Sequence, residues 1–129
     1  MNKAVELLRE CKIFFLATNE QDQPRVRPFG AVAEINGKLY IATSNNKKCF
    51  AQMIDNPKVE IAAMLNEEEW NRITGIVKQD TSVESKAEFL KQSPIPGYSA
   101  DDNIFEILYF EKGFVEIISY SKAPEHFEI

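Results

Sequence analysis

Between residues 43 and 52 the chain reads "TSNNKKCFAQ". Hydroxyls, amides and two ammonium groups crowd into the span where a helix should begin. The first turn of a helix leaves backbone N–H groups without partners, and the helix dipole makes that end positive. Lys47 and Lys48 are therefore misplaced by about 0.3–1 kcal/mol unless an anion offsets them. A phosphate would do so, because it takes up the free N–H groups and makes each ammonium a charge-assisted partner. Lysine pairs in helices are more often merely solvated. Here, however, "PRVRPFG" (24–30) precedes the segment in an adjoining hairpin and brings Arg25 and Arg27. Strand end, Thr43, Ser44, two lysines and two arginines converge on one point. Arg27 is positioned to reach the same anion or a nearby carbonyl.

Two further residues have double readings. Gln52 lies one turn beyond Lys48 on the same face. It either hydrogen-bonds a ligand beyond the phosphate or is a polar surface residue. Trp70 either stacks on a flat ligand or caps a core, and a lone tryptophan more often belongs to a core. Arg72, two residues on, shares its face.

Other chemistries lack their residues. No Ser-His-Asp or Cys-His pattern points to hydrolysis. The one histidine, His126, sits in the C-terminal tail, where it is either solvated or reaches across an interface. One His and two distant Cys form no metal-ligand set. Cys11 and Cys49 are too few for a disulfide framework and read as reduced thiols of a cytoplasmic protein. Cys49, beside the lysines, is either a reactive thiol or simple packing. The run Glu67–Glu69 reads as a solvent-facing turn. A net charge of -5 argues against a nucleic-acid surface. No stretch is apolar enough to cross a membrane, and the N-terminus lacks a signal-peptide core. The 129 residues fit one domain, 1–129.

The elements that must position these residues follow from periodicity. Residues 2–11 read as a helix with Ala4, Leu7, Leu8 and Cys11 on one face. "KIFFLAT" (12–18) reads as a strand buried on both faces, and 19–24 as a polar turn. Residues 25–35 read as one strand with Arg25, Arg27, Phe29, Ala31, Ala33 and Ile35 on one side. Pro28 puts part of it at an edge or a bulge. "NG" at 36–37 predicts a hairpin into a strand over 38–44. A helix follows at about 46–55, capped by Ser44, Asn45 or Asn46 and stopped by "NP". Strands are expected over 58–65 and 70–79, the latter with Trp70, Arg72, Thr74 and Ile76 aligned. A helix is expected over 82–92, with Ser82 and Ser85 as a weak capping box. An irregular loop follows, then either a long strand or a hairpin around Lys112–Gly113 within 104–120. The pattern leaves the last nine residues unassigned. Six or seven mostly antiparallel strands with three short helices amount to a mainly β fold, a small barrel with helices over its ends.

The run "FFLAT…PRVRPFG…NGKLYIATSNNKKCFAQMIDNPKVEI", with "WNRITG" and "IFEILYFEKG" later, resembles the FMN-binding split barrels of the pyridoxamine 5′-phosphate oxidase superfamily. The resemblance covers about residues 1–120 and is nearest to the short nitroimidazole-reductase (NimA/NimC-like) branch. It implies a homodimer with FMN at the subunit interface. It also implies that the strand carrying Arg27, Pro28, Phe29 and Gly30 lines the flavin. Thr43, Ser44, Lys47 and Lys48 would hold the phosphate, Gln52 would contact the flavin, and Trp70 from the neighbouring subunit would close the site. The second basic residue of the oxidase's phosphate pair is replaced by Cys49, and the oxidase's C-terminal arginine- and histidine-bearing segment is absent. Oxidation of pyridoxamine phosphate is therefore not the expected reaction. The expected function is an FMN-dependent oxidoreductase that reduces a small organic molecule, a nitro compound or quinone, with a nicotinamide donor. No side chain is assigned a catalytic role. The alternative is a flavin- or haem-binding module without turnover.

Overall fold

The alternation of the strand sequences becomes one antiparallel sheet in a computed structural model, which describes residues 2–129. In chain order the elements are α1 (Lys3–Cys11), β1 (Phe14–Glu20), β2 (Gln23–Phe29), β3 (Val32–Ile35), β4 (Lys38–Ser44), α2 (Lys48–Asp55), β5 (Lys58–Met64), β6 (Glu69–Asp80), α3 (Val83–Gln92), β7 (Phe105–Ser119) and β8 (Glu125–Glu128). The strands run in the order β2-β1-β5-β6-β7-β4-β3, with β8 added against β7. The two ends of this path, β2 and β3, are consecutive in the chain. Inward residues from β1, β3, β4, β5, β6 and β7 join α1 in one core, among them Leu16, Val32, Ile41, Ile61, Ile73 and Val115. The sheet is thus curled on itself as a split barrel.

Several local expectations hold. Asn36 and Gly37 both take positive φ (53° and 76°), as a two-residue hairpin turn requires. The Ser82 side chain accepts a hydrogen bond from Ser85 N at the start of α3. In β5, Val59, Ile61 and Ala63 face inward.

Other expectations are corrected. Residues 19–24 are not a loop: Asn19 and Glu20 pair with Pro24 and Gln23, and only Gln21 and Asp22 turn the chain. Strand β1 is not buried on both faces, since Phe15 is 49% exposed while Phe14 and Leu16 are buried. The apolar run conceals an ordinary alternation, because nothing packs on the second face. The strand expected over 25–35 breaks at Gly30–Ala31. Phe29 and Val32 face the barrel core, whereas Ala33 and Ile35 face a second core with Tyr40, Phe89, Phe105 and Ile107. Pro28 supplies no ladder donor and Gly30 no side chain, so the faces exchange there. Of the two readings of 104–120 the long strand holds, as residues 105–119 form one strand; the unassigned tail pairs with it as β8, giving eight strands instead of six or seven.

The strand β7 runs on through its turn-like Gly113, where a Cβ would lie 2.6 Å from the Ile129 side chain. Gly113 stands opposite Gly75 on β6. A Cβ on Gly75 would collide with the Phe110 ring and lie 2.7 Å from Lys112 O. Next to this close approach the β6–β7 register shifts between Ile76 and Val77, a bulge that sharpens the curl.

Among the described residues no helix covers the outward face of β2-β1-β5-β6 and the later part of β7. One cross-strand row reads Pro28, Phe15, Ala62, Arg72, Glu116. Beside it lie Met64, Trp70 and Ile118. Exposed large side chains on this side include Ile13, Phe15, Val26, Met64 and Phe114, from 38% (Phe114) to 66% (Val26) exposed.

Candidate functional site

The start of α2 is open, and the reason lies in three side chains expected to cap it. Ser44 is fully buried and its Oγ donates to Asn46 Oδ1 at 2.6 Å. Asn45 Nδ2 donates instead to Asn103 O (2.8 Å) and Glu106 Oε2 (2.9 Å). The N-cap position falls to Lys47, in extended backbone, and no side chain caps the helix. No acidic residue occupies the first turn. This helix terminus has spare N–H capacity, a positive dipole end, and Lys47 and Lys48 exposed beside it.

Two adjoining cavities meet there. One, of about 450 Å³, is lined by Arg25, Arg27, Lys47, Lys48 and Gln52, with a single carboxylate, Glu20. The other, of about 430 Å³, has walls from Pro28, Phe29, Ala31, Ala42, Pro94 and Ile95, with Gly30 and Thr43. They share Arg27, Lys47 and Cys49. The cleft therefore has a cationic compartment and an apolar one, each of a size usual for a small-molecule site. Four cations face one carboxylate in a chain whose net charge is -5. Arg25 binds Glu20 through Nε (3.0 Å) and Nη2 (2.9 Å). That hydrogen bond, with the charge of Arg25 and more weakly Lys48, holds the Glu20 carboxyl below the usual range.

Beneath the cations sits a buried hydrogen-bond network. Thr18, 2% exposed, projects from β1 on the same side as Phe14 and Leu16. Its Oγ1 donates to Gln52 Oε1 at 2.6 Å. Arg27 Nη1 donates to Thr18 Oγ1 (2.9 Å) and to Leu16 O (3.1 Å), and Arg27 Nη2 to Gln52 Oε1 (2.8 Å). Gln52 is 7% exposed, which corrects its reading as a surface residue. Cys49 is buried, with Sγ 3.3 Å from Thr43 Oγ1.

Arg27, Pro28, Phe29, Gly30, Thr43, Lys47, Lys48 and Gln52 all line this cleft. Ser44 does not, because its side chain is spent on Asn46 below the surface. Trp70 lies elsewhere, on the bare sheet face, with the Arg72 guanidinium 4.9 Å from its ring centroid. It belongs to neither buried core. Arg72 is in turn held by Glu60 and Glu116 at 3.6 and 3.4 Å. His126 is exposed on β8 beside the Phe114 ring. Among the described residues no cluster of His, Cys, Asp and Glu could hold a metal ion, and no helix is long and apolar enough to cross a membrane.

The sequence reading missed Thr18, Glu20, Ala31, Ala42, Pro94 and Ile95. Thr18 left a usable signal: a hydroxyl on the buried parity of β1, which requires a polar partner. Pro94 and Ile95 left none, since they arrive from an irregular loop.

This eight-stranded split barrel with a basic cleft at a helix start defines a family. The sequence profile described as pyridoxamine 5′-phosphate oxidase matches residues 1–108, and the chain belongs to that family. It is similar to a NimC/NimA family protein from Clostridium acetobutylicum. That likeness has 53% identity and a TM-score of 0.95, and covers 100% of this chain and 93% of that one. A pyridoxamine 5′-phosphate oxidase-related, FMN-binding protein from Nostoc punctiforme is 15% identical with a TM-score of 0.60, covering 98% and 93% of the two chains. A haem-binding protein from Mycobacterium smegmatis is 13% identical with a TM-score of 0.71, covering 94% and 57%. These last two share the fold. No curated protein shows a match to the chain.

Proposed function

We propose that the chain is a flavoprotein that binds FMN in this cleft and works as an oxidoreductase on a small nitro compound or quinone, with a nicotinamide donor. The observation that carries the reading is the uncapped start of α2 facing a cavity lined by Arg25, Arg27, Lys47 and Lys48. That donor set fits a dianionic phosphate, and the neighbouring compartment fits a flat, largely apolar ring. Bound FMN would supply hydride exchange at its ring system. The chain's part is to bind and orient. Lys47, Lys48, Arg27 and the free N–H groups of α2 hold the phosphate, with Thr43 beside them. Pro28, Phe29 and Gly30 line the ring, and Gln52 is fixed within reach.

We also propose a homodimer with the cofactor at its interface, formed through the bare face of β2-β1-β5-β6-β7. Its exposed Phe15, Val26 and Met64 favour a partner that removes them from water. The partner is a second copy, because the cleft opens at the rim of this same face: Val26 lines the cationic compartment and Pro28 the apolar one. A two-fold pairing would bury both clefts at once. Trp70, on that face, would then reach the other subunit's cleft. Replacing Phe15 with glutamate should give a monomer in sedimentation, and an unchanged dimer would refute this face.

The test of the function is direct. Purified protein should carry the visible absorption of oxidised flavin, or acquire it on titration with FMN, and should then oxidise NAD(P)H with a nitro acceptor. A flavin spectrum without turnover would leave the binding module; a Soret-type band would replace flavin by haem.

A further inference from the structure

Thr18 lines neither compartment of the cleft, yet it touches Arg27 and Gln52, which do. It is the one buried hydroxyl that both donates to Gln52 and accepts from Arg27. A guanidinium carries five N–H donors in a rigid planar fork. Three are committed inside the chain: two on Nη1, to Leu16 O and Thr18 Oγ1, and one on Nη2, to Gln52 Oε1. Nε–H and the second Nη2–H are left. They sit on a common edge of the plane, spaced to hold two oxygens of one anion. A free arginine presents its edges indiscriminately. Here the Thr18–Gln52 pair fastens one edge and leaves the other for the cleft.

We infer that Thr18 is a positioning residue that orients Arg27 as a side-on, two-donor clamp for the phosphate of the ligand. This rests on the FMN reading above and deepens it. Without the hydroxyl, Arg27 Nη1 and Gln52 Oε1 each lose a buried partner. The guanidinium is then free to turn, and the open edge is no longer pre-set. Arg27 would keep its charge but lose its aim. Immobilising a long side chain before binding removes a cost that would otherwise fall on the complex.

The experiment compares wild type, Thr18→Ser and Thr18→Val for FMN and for riboflavin, which has the same ring without the phosphate. Fluorescence titration gives each Kd, and thermal unfolding without ligand gives stability. Thr18→Val should weaken FMN by about 10- to 100-fold, the effect of losing charge-assisted contacts, and leave riboflavin within about twofold. Thr18→Ser keeps the hydroxyl and should restore FMN binding to within about threefold. A merely structural role would lower the melting temperature but leave FMN affinity unchanged, or weaken both flavins alike. Either result overturns the inference. If Thr18→Val does not fold, Thr18→Ala removes the hydroxyl without pressing a methyl on the guanidinium and is read the same way. Failure of wild type to bind FMN would defeat the parent reading instead, so the two failures are separable.

Discussion

Two polar clusters in the molecule are built to opposite ends. One joins Thr18, Gln52 and Arg27 under the cleft. The other lies near α3, where Lys86 Nζ is 3.6 Å from Glu106 Oε1 with both residues 8% exposed. Glu106 also accepts from Asn45 Nδ2 and Gln79 Nε2, at 2.9 and 3.0 Å. Close by, Tyr40 donates to Asp80 Oδ2 at 2.7 Å, and Asp80 also accepts from Ser82 N. This second cluster is closed: its cation faces carboxylates, and its donors meet acceptors of the same chain. The first is open, for among the described residues no carboxylate pairs with the Arg27 guanidinium, which keeps two uncommitted donors next to an uncapped helix. Among the described residues Asn71 Oδ1 is the only buried side-chain polar atom without a partner, so both clusters satisfy the usual rule of burial. What separates a structural network from a site is therefore uncommitted capacity at its rim, rather than an unsatisfied atom within it.

That contrast predicts effects on different observables. Lys48→Glu should reduce FMN affinity by on the order of 100-fold or more, because a carboxylate replaces a cation where phosphate docks. The same change should leave unliganded stability equal or slightly higher, since a carboxylate suits a helix N-terminus. Unchanged FMN affinity on titration would remove the phosphate from this corner. Lys86→Met should do the reverse. It leaves Glu106 buried with two of its three partners and should cost about 2 kcal/mol in denaturant unfolding. Flavin affinity should stay within about twofold, as the cluster is not part of the cleft. A large loss of affinity here would erase the distinction between the clusters.

The smallest effect concerns pH. Burial pushes the Tyr40 hydroxyl well above its usual value, and its bond to Asp80 pushes the same way. Burial would raise Asp80, but the Tyr40 hydroxyl and Ser82 N–H outweigh it, and its carboxyl lies below the usual range. A folded-state pKa raised in Tyr40 gives stability that is complete below about pH 10 and lost as the unfolded chain ionises above it. A lowered pKa in Asp80 gives stability that is present above about pH 4 and lost below it. Tyr40→Phe should cost about 1 kcal/mol at neutral pH and flatten the alkaline limb of the stability profile. An unaltered alkaline limb would show that Tyr40 does not set it.

Much of the fold was legible because its signals are local. "NG" specified a hairpin, alternation gave β5, and Ser82 marked the start of α3. The lysine pair marked the start of α2 as unusually cationic, although the cap expected from Ser44, Asn45 or Asn46 does not form. The failures are those of context. "KIFFLAT" reads as doubly buried, since an apolar residue facing an uncovered sheet looks like one facing a core. Nothing in "PRVRPFGAVAEI" says that Phe29 and Ala33 serve different cores. Trp70 reads as core because its sheet face is bare only once every other element has been placed.

The amino-acid sequence alone determined the alternation of β5 and β6, the turn at Asn36–Gly37 and the unusual cations at the start of α2. These depend on dihedral preferences and on neighbours within a few residues. The tertiary structure decided what those cations face. Thr18 lies 9 positions from Arg27 and 34 from Gln52, and only strand register and the packing of α2 bring the three within hydrogen-bond range. Distances of 3 Å between such remote residues are set by the closure of the whole barrel, which no local periodicity encodes.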